Sequence, residues 1–219
     1  QDVIDDSFGG ITGFVPSDMG VAARQLRPDM IYSILMGNPT MRDSVALFHA
    51  DHGNLNTSSA IGGSSLEAAR KNMRIQTENG RNLNIMPKFL MVPPTLEDTA
   101  DVLLSSRLLI TGENATKPEN NPNYNKGLVI VTDARLENGV TDPTDATGGT
   151  VHAGSTTTWF LLSTANNHTI EVGYLRGSGR VPQIRSFVLD RGQWGLGWDV
   201  KMDIGAKALD WLGMAKCTA

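Results

Sequence analysis

The residues best suited to chemistry are His49, Asp51 and His52, which fall within four positions of one another in the run His49-Ala50-Asp51-His52-Gly53-Asn54. Two imidazoles and a carboxylate this close can chelate a divalent ion or orient one another for proton transfer. The spacing lacks the helical period that would place both rings on one side. His152 and His168, the histidines available as a further ligand, stand in loop-like sequence without a companion motif. The run is entered from the apolar stretch Val45-Ala46-Leu47-Phe48 and left through Gly53-Asn54, so His and Asp here are expected to satisfy backbone groups of a turn. No residue is therefore assigned as catalytic, cofactor-binding or metal-binding, and no cofactor is expected. The chain is read as a non-enzyme, with a metal-assisted hydrolase on His49, Asp51 and His52 as the alternative.

Other motifs carry less. Gly177-Ser178-Gly179 has neither the strand-to-helix context nor the Lys-Ser/Thr ending of a phosphate loop and reads as a hairpin turn. Asn56-Thr57-Ser58, Asn114-Ala115-Thr116 and Asn167-His168-Thr169 match the glycosylation acceptor by composition alone and are given no role. The lone cysteine, Cys217, excludes an internal disulfide and a thiolate metal cluster, and it is expected to be idle.

The 219 residues carry 19 basic and 23 acidic side chains, a formal charge of −4, with 40% hydrophobic residues. This composition is globular and allows a sizeable core in one or two domains. Mild acidity with singly scattered Lys and Arg speaks against a module built to grip nucleic acid. No apolar run of about 18 residues is present, so no membrane-spanning helix is expected.

Several elements must position these residues. Met19, Ala23, Leu26, Met30 and Ile34 recur with helical spacing and predict a helix over 16–37, kinked at Pro28 and ended by Gly37-Asn38-Pro39. Ser64 and Glu67 stand at capping-box spacing before a second helix running to about Gln76, with Leu66, Ala69 and Met73 inward. Residues 88–92 read as a buried strand and 128–131 as a strand, and Pro94 opens a third helix with Leu96, Ala100, Leu103 and Leu104 as its apolar face. Residues 111–127 and 137–155 read as long polar loops, expected to be mobile in a free subunit. From Trp159 onward the pattern is β-like, with Trp194, Trp198 and Trp211 in a strand-rich tail. The fold class is α+β, with helices early and antiparallel strands late.

Residues 46–55 (ALFHADHGNL) and 83–94 (LNIMPKFLMVPP), then Thr158-Trp159-Phe160-Leu161-Leu162, Ile170-Glu171-Val172, Asp203-Ile204-Gly205-Ala206 and Asp210-Trp211, occur in an order that resembles the major capsid proteins of tailed bacteriophages. These are the Hong Kong 97-type shell proteins often encoded as prohead protease fusions, and the resemblance covers nearly the whole chain. It implies a peripheral domain (1–48 and 165–203, with a spine helix at 16–37) and an axial domain with a central sheet flanked by helices (49–164 and 204–219). It also implies a structural subunit that self-assembles into pentamers and hexamers around packaged double-stranded DNA, contacting that DNA without sequence specificity. Portal, scaffold or prohead protease would be assembly partners, decoration proteins further ones, and the virion, assembled in the host cytoplasm, its location. Gln1-Asp2-Val3-Ile4-Asp5-Asp6 resembles the point just after the family's extended loop, so an N-terminal arm and that loop are expected to precede it in the complete subunit.

Overall fold

Alternation of side chains across strands decides where the core of this protein lies. A computed structural model describes residues 10–78, 80–109, 119–145, 147–164, 169–177, 179–190, 192 and 195–219, with side chains from residue 13 onward. His168, Trp194, Ser178 and residues 111–118 of the loop expected at 111–127 lie outside the described residues. In chain order the elements are α1 (Gly10–Gly37), β1 (Leu55–Asn56), α2 (Gly63–Arg74), β2 (Thr77–Glu78), β3 (Arg81–Asn82), β4 (Pro87–Val92), α3 (Glu97–Ser105), β5 (Leu108–Leu109) and β6 (Glu119–Asn120). They continue with β7 (Val129–Thr132), α4 (Arg135–Asn138), β8 (Val140–Thr141), β9 (Val151–His152), β10 (Trp159–Ser163), β11 (Ile170–Tyr174), β12 (Gln183–Val188), β13 (Leu196–Lys201), β14 (Ile204–Ala208) and β15 (Met214–Cys217). The chain divides into two units, one from residues 1–31 and 172–206, the other from residues 32–171 and 207–219.

The larger unit is built on a mixed five-stranded sheet in the order β1-β15-β10-β4-β7. β15 with β10 and β10 with β4 are antiparallel, while the outer pairs β1 with β15 and β4 with β7 are parallel. Trp159 and Leu161 of β10, with Ala215 and Cys217 of β15, point to one face and meet Leu66, Ala69 and Met73 of α2 and Ala100 and Leu103 of α3. Their neighbour Phe160 points the other way and packs on Phe48, ring centroids 5.6 Å apart, with the Lys216 ammonium 5.9 Å from each ring. Trp159 is fully buried, and its indole N–H donates to the Ser59 carbonyl at 2.9 Å.

Cys217 is likewise fully buried, and burial pushes its thiol up to about 12. A buried thiol kept protonated is a poor nucleophile. We therefore expect no labelling by iodoacetamide at pH 8 in the folded chain and complete labelling after guanidinium unfolding; equal rates in both states would place Cys217 at the surface.

Three local expectations are corrected. The helix predicted over 16–37 begins at Gly10, contains both Pro16 and Pro28, and at about 1.5 Å per residue is some 42 Å long. Its less exposed side, Met19, Gly20, Ala23, Leu26 and Met30, follows the expected stripe. The capping box does not form: α2 is capped by Gly62 without a side-chain bond, and Ser65 Oγ turns back to the carbonyls of Ala60 and Gly62. The segment 137–155 is not an unanchored loop. It holds the end of α4 and the hairpin β8–β9, with Leu136 and Val140 buried.

Within that hairpin, Asp142 accepts from the Thr144 N–H and hydroxyl, and Asp145 from those of Thr147 and Thr150. These donors, the Thr147 hydroxyl foremost, hold the Asp145 carboxyl well below the usual carboxylate range. Side-chain bonds of this kind replace the missing apolar anchors. The Asn-rich stretch behaves similarly: Asn121 Nδ2 donates to the Leu103 and Ser106 carbonyls at 2.7 Å each, closing the C-terminal end of α3.

In the smaller unit, the β12–β13 ribbon pairs in unbroken register from Gln183↔Lys201 to Val188↔Leu196. Arg27 of α1 donates to the Arg180 carbonyl at 3.2 Å and lies 5.5 Å from the Tyr174 ring.

Candidate functional site

The turn that holds His49, Asp51 and His52 is entered from the Thr40↔Ala46 bridge and tightened by a 310 turn over Ala50–His52. His49 is its N-cap, Nδ1 accepting the Asp51 N–H at 3.2 Å, and Gly53 closes it at φ 63, a left-handed conformation that glycine adopts without strain. His52 is buried with both ring nitrogens engaged: Nε2 lies 2.7 Å from Asp43 Oδ2 and Nδ1 3.2 Å from the Leu47 carbonyl. Its ring stacks on Trp211 with centroids 4.6 Å apart and planes 3° from parallel. Asn54, fully buried, donates Nδ2 to the Leu47 and Trp211 carbonyls and accepts the His49 N–H on Oδ1.

The three sequence-selected residues are thus brought together, but as parts of a knot that ties 43–54 to Trp211. Both nitrogens of His52 already face protein acceptors, so neither is presented as a ligand in this arrangement. His152 is placed elsewhere in the unit, Nε2 3.7 Å from Asp142 Oδ2 and its ring so close to Gly37 that a Cβ there would sit 2.6 Å from Cε1. Among the described residues no group of three or more His, Cys, Asp or Glu is arranged to hold a metal. Asp43, Asn54 and Trp211, which complete the knot, carry no sequence signal pairing them with His52; only the Gly53-Asn54 turn pointed toward them.

A groove of about 460 Å³ opens beside this turn, lined by Asp51, His52, Asn72, Gln76 and Trp211 among others. Gln76 Oε1 accepts the Gly213 N–H at 3.2 Å.

The His52 hydrogen bond is the largest of the effects that hold the Asp43 carboxyl below its ordinary value, followed by the Val45 N–H. A carboxyl whose folded pKa is lowered contributes stability above the ordinary range near ~4 and loses it as pH falls through the folded value. Asp142 and Asp145 act in the same direction. Asp43→Asn should therefore flatten, without abolishing, the fall in melting temperature below pH ~4; an unchanged acid limb would show that the Asp43–His52 contact does not contribute.

A different kind of site lies on the β12–β13 ribbon. Directly opposed residues share a face, so Ile184 with Val200, Ser186 with Trp198 and Val188 with Leu196 form one side, nearly all apolar. Gln183 with Lys201, Arg185 with Asp199 and Phe187 with Gly197 form the other, the Phe187 ring lying over Gly197. Ile184 reaches Gly20 of α1, where an added Cβ would stand 3.2 Å from Cδ1. The far end of the apolar side stays open, with Val188 79% and Leu196 44% exposed. Among the described strands, β12 and β13 pair only with each other, leaving both outer edges unpaired. An exposed apolar face with open edges is a surface for association.

Comparisons with known proteins agree with a protein that works through its surfaces. No curated protein matches the sequence. Among solved structures, the chain is similar to the SrpI encapsulin of Synechococcus elongatus PCC 7942, described as a holo-encapsulin complex, at a TM-score of 0.51 and 10% identity over 98% of this chain and 69% of that one. That likeness shows the fold, the Hong Kong 97-type shell fold in which helix and sheet are mixed as here. The family model described as phage capsid protein matches residues 1–217, and the chain therefore belongs to the phage capsid protein family.

Proposed function

We propose that this chain is the major head subunit of a tailed phage, a structural protein without catalytic activity that assembles into pentamers and hexamers of an icosahedral shell around double-stranded DNA. The observation that carries this reading, beside family membership, is the apolar side of the β12–β13 ribbon, open at Val188 and Leu196, on a two-stranded element whose outer edges are unpaired among the described strands. Repeated head-to-tail contacts between identical copies close into rings when the rotation permits. Residues 1–48 and 165–203 are assigned as the peripheral domain with α1 as its spine, and residues 49–164 and 204–219 as the axial domain. Portal, scaffold or prohead protease would meet the shell during assembly in the host cytoplasm, the virion being its final place. The knot around His52 supports no hydrolase, since its ring nitrogens are spent on Asp43 and Leu47.

Sedimentation velocity of the expressed protein tests the proposal. Closed particles, or rings of five and six copies, are expected. A stable 24 kDa monomer at high concentration that exposes no apolar surface to a reporter dye would overturn it.

A further inference from the structure

Resting on the shell reading, we propose that one contact of the ring is electrostatic: the acidic outer face of α3 on one copy seats in a cationic cleft formed by Arg42 and Lys207 on the next. The cleft has a volume of about 460 Å³ and is also lined by the apolar Met41 and Leu209. Arg42 stands on a tight turn closed by the Met41 N–H to Val45 carbonyl bond at 2.7 Å, and Lys207 on β14, so both cations rise from fixed backbone. Both are exposed, and neither has an ion pair or side-chain hydrogen bond among the described residues.

The complementary surface is on the same chain. Asp98, Asp101 and Val102 stand at i, i+3 and i+4 of α3, which places two carboxylates and one apolar side chain on a single helical face. All three are exposed, Val102 at 51%, and neither carboxylate is paired among the described residues. Two carboxylates roughly 5–6 Å apart at Cβ beside an apolar side chain complement in charge and character a cleft lined by two cations and apolar side chains. Glu67, the single acid of α2, competes poorly, because Lys71 stands one turn away. No α3 residue lines the cleft, and among the described residues Asp98 and Asp101 pair with neither Arg42 nor Lys207, so satisfying both needs a second copy. Because donor and acceptor patches differ, the contact is head-to-tail, the type that builds rings.

Charge reversal tests this on the complete chain. D98K/D101K and R42E/K207E should each fold with wild-type circular dichroism and lose about tenfold or more of assembled material, and raising the salt concentration should weaken the wild-type contact. Combining all four reversals in one chain should restore assembly. Co-expressing the two double variants should restore only rings of even number, since alternation cannot close a ring of five. Should a reversal fail to fold, D98N/D101N and R42Q/K207Q repeat the loss without placing new charges. Unimpaired assembly of either double variant, or no rescue by the combination of folded partners, overturns the contact while leaving the shell reading intact. Absence of any assembly by the wild-type chain overturns the shell reading instead.

Discussion

Trp159→Ala should destabilise the subunit by about 3–5 kcal/mol, the largest effect expected of any single truncation in the larger unit. Trp159 sits at the centre of the sheet on β10, fully buried among α2, α3 and β15, so removing its indole leaves a cavity that rigid neighbours on three sides cannot fill. The change also strands the Ser59 carbonyl, which accepts the indole N–H at 2.9 Å. At about 2–4 °C per kcal/mol for a chain of this size, the melting temperature should fall by roughly 10 °C. Trp159→Phe should recover part of the packing and none of the hydrogen bond. A fall of under ~1 kcal/mol for the alanine variant would mean that the core is not organised around β10.

The second large effect is on assembly instead of folding. Val188→Asp with Leu196→Asp places two carboxylates on the open end of the ribbon's apolar side, where the wild-type side chains are already exposed to solvent in the single chain. Stability of the isolated subunit should change by no more than about 0.5 kcal/mol, as for surface substitutions generally. A neighbour covering this face gains about 1.5–3 kcal/mol from burying each wild-type side chain and would instead have to desolvate a charge. Assembled material should therefore drop by at least about a hundredfold, read by sedimentation. Wild-type assembly by a folded double variant would show that the ribbon face is not an interface.

The elements with strong local patterns were legible in the sequence. The α1 stripe, the strands β4 and β7 and the Pro94 turn into α3 follow from spacing and proline placement alone, although β7 is half-buried, with Val129 exposed. Where the reading departed from the structure, local hydrogen bonds that leave no apolar pattern were decisive. Ser64 and Glu67 had the right spacing for a cap, but α2 starts at Gly63 with Gly62 as its N-cap, which puts Ser64 inside the first turn, while Ser65 bonds the Ala60 and Gly62 carbonyls. Residues 137–155 looked unanchored because Asp–Thr bonds and the buried Val140 leave no apolar run to detect.

The His49-Ala50-Asp51-His52 turn was correctly placed, yet its partners Asp43 and Trp211 lie 9 residues before and 159 after His52, beyond any local pattern. The ribbon's strands were legible only as a β-like pattern, and which residues share a side depends on the register of Gln183 opposite Lys201, which only the pairing supplies. The cleft of Arg42 and Lys207 joins positions 165 residues apart and had no sequence signature.

Electron cryomicroscopy of particles assembled from the complete chain tests the central claim most directly. The account expects closed shells with five-fold and six-fold capsomers, in which each subunit keeps the five-stranded sheet and the open side of the β12–β13 ribbon is covered by a neighbouring copy. Particles of another architecture, or a field of folded monomers with that ribbon bare, would contradict it.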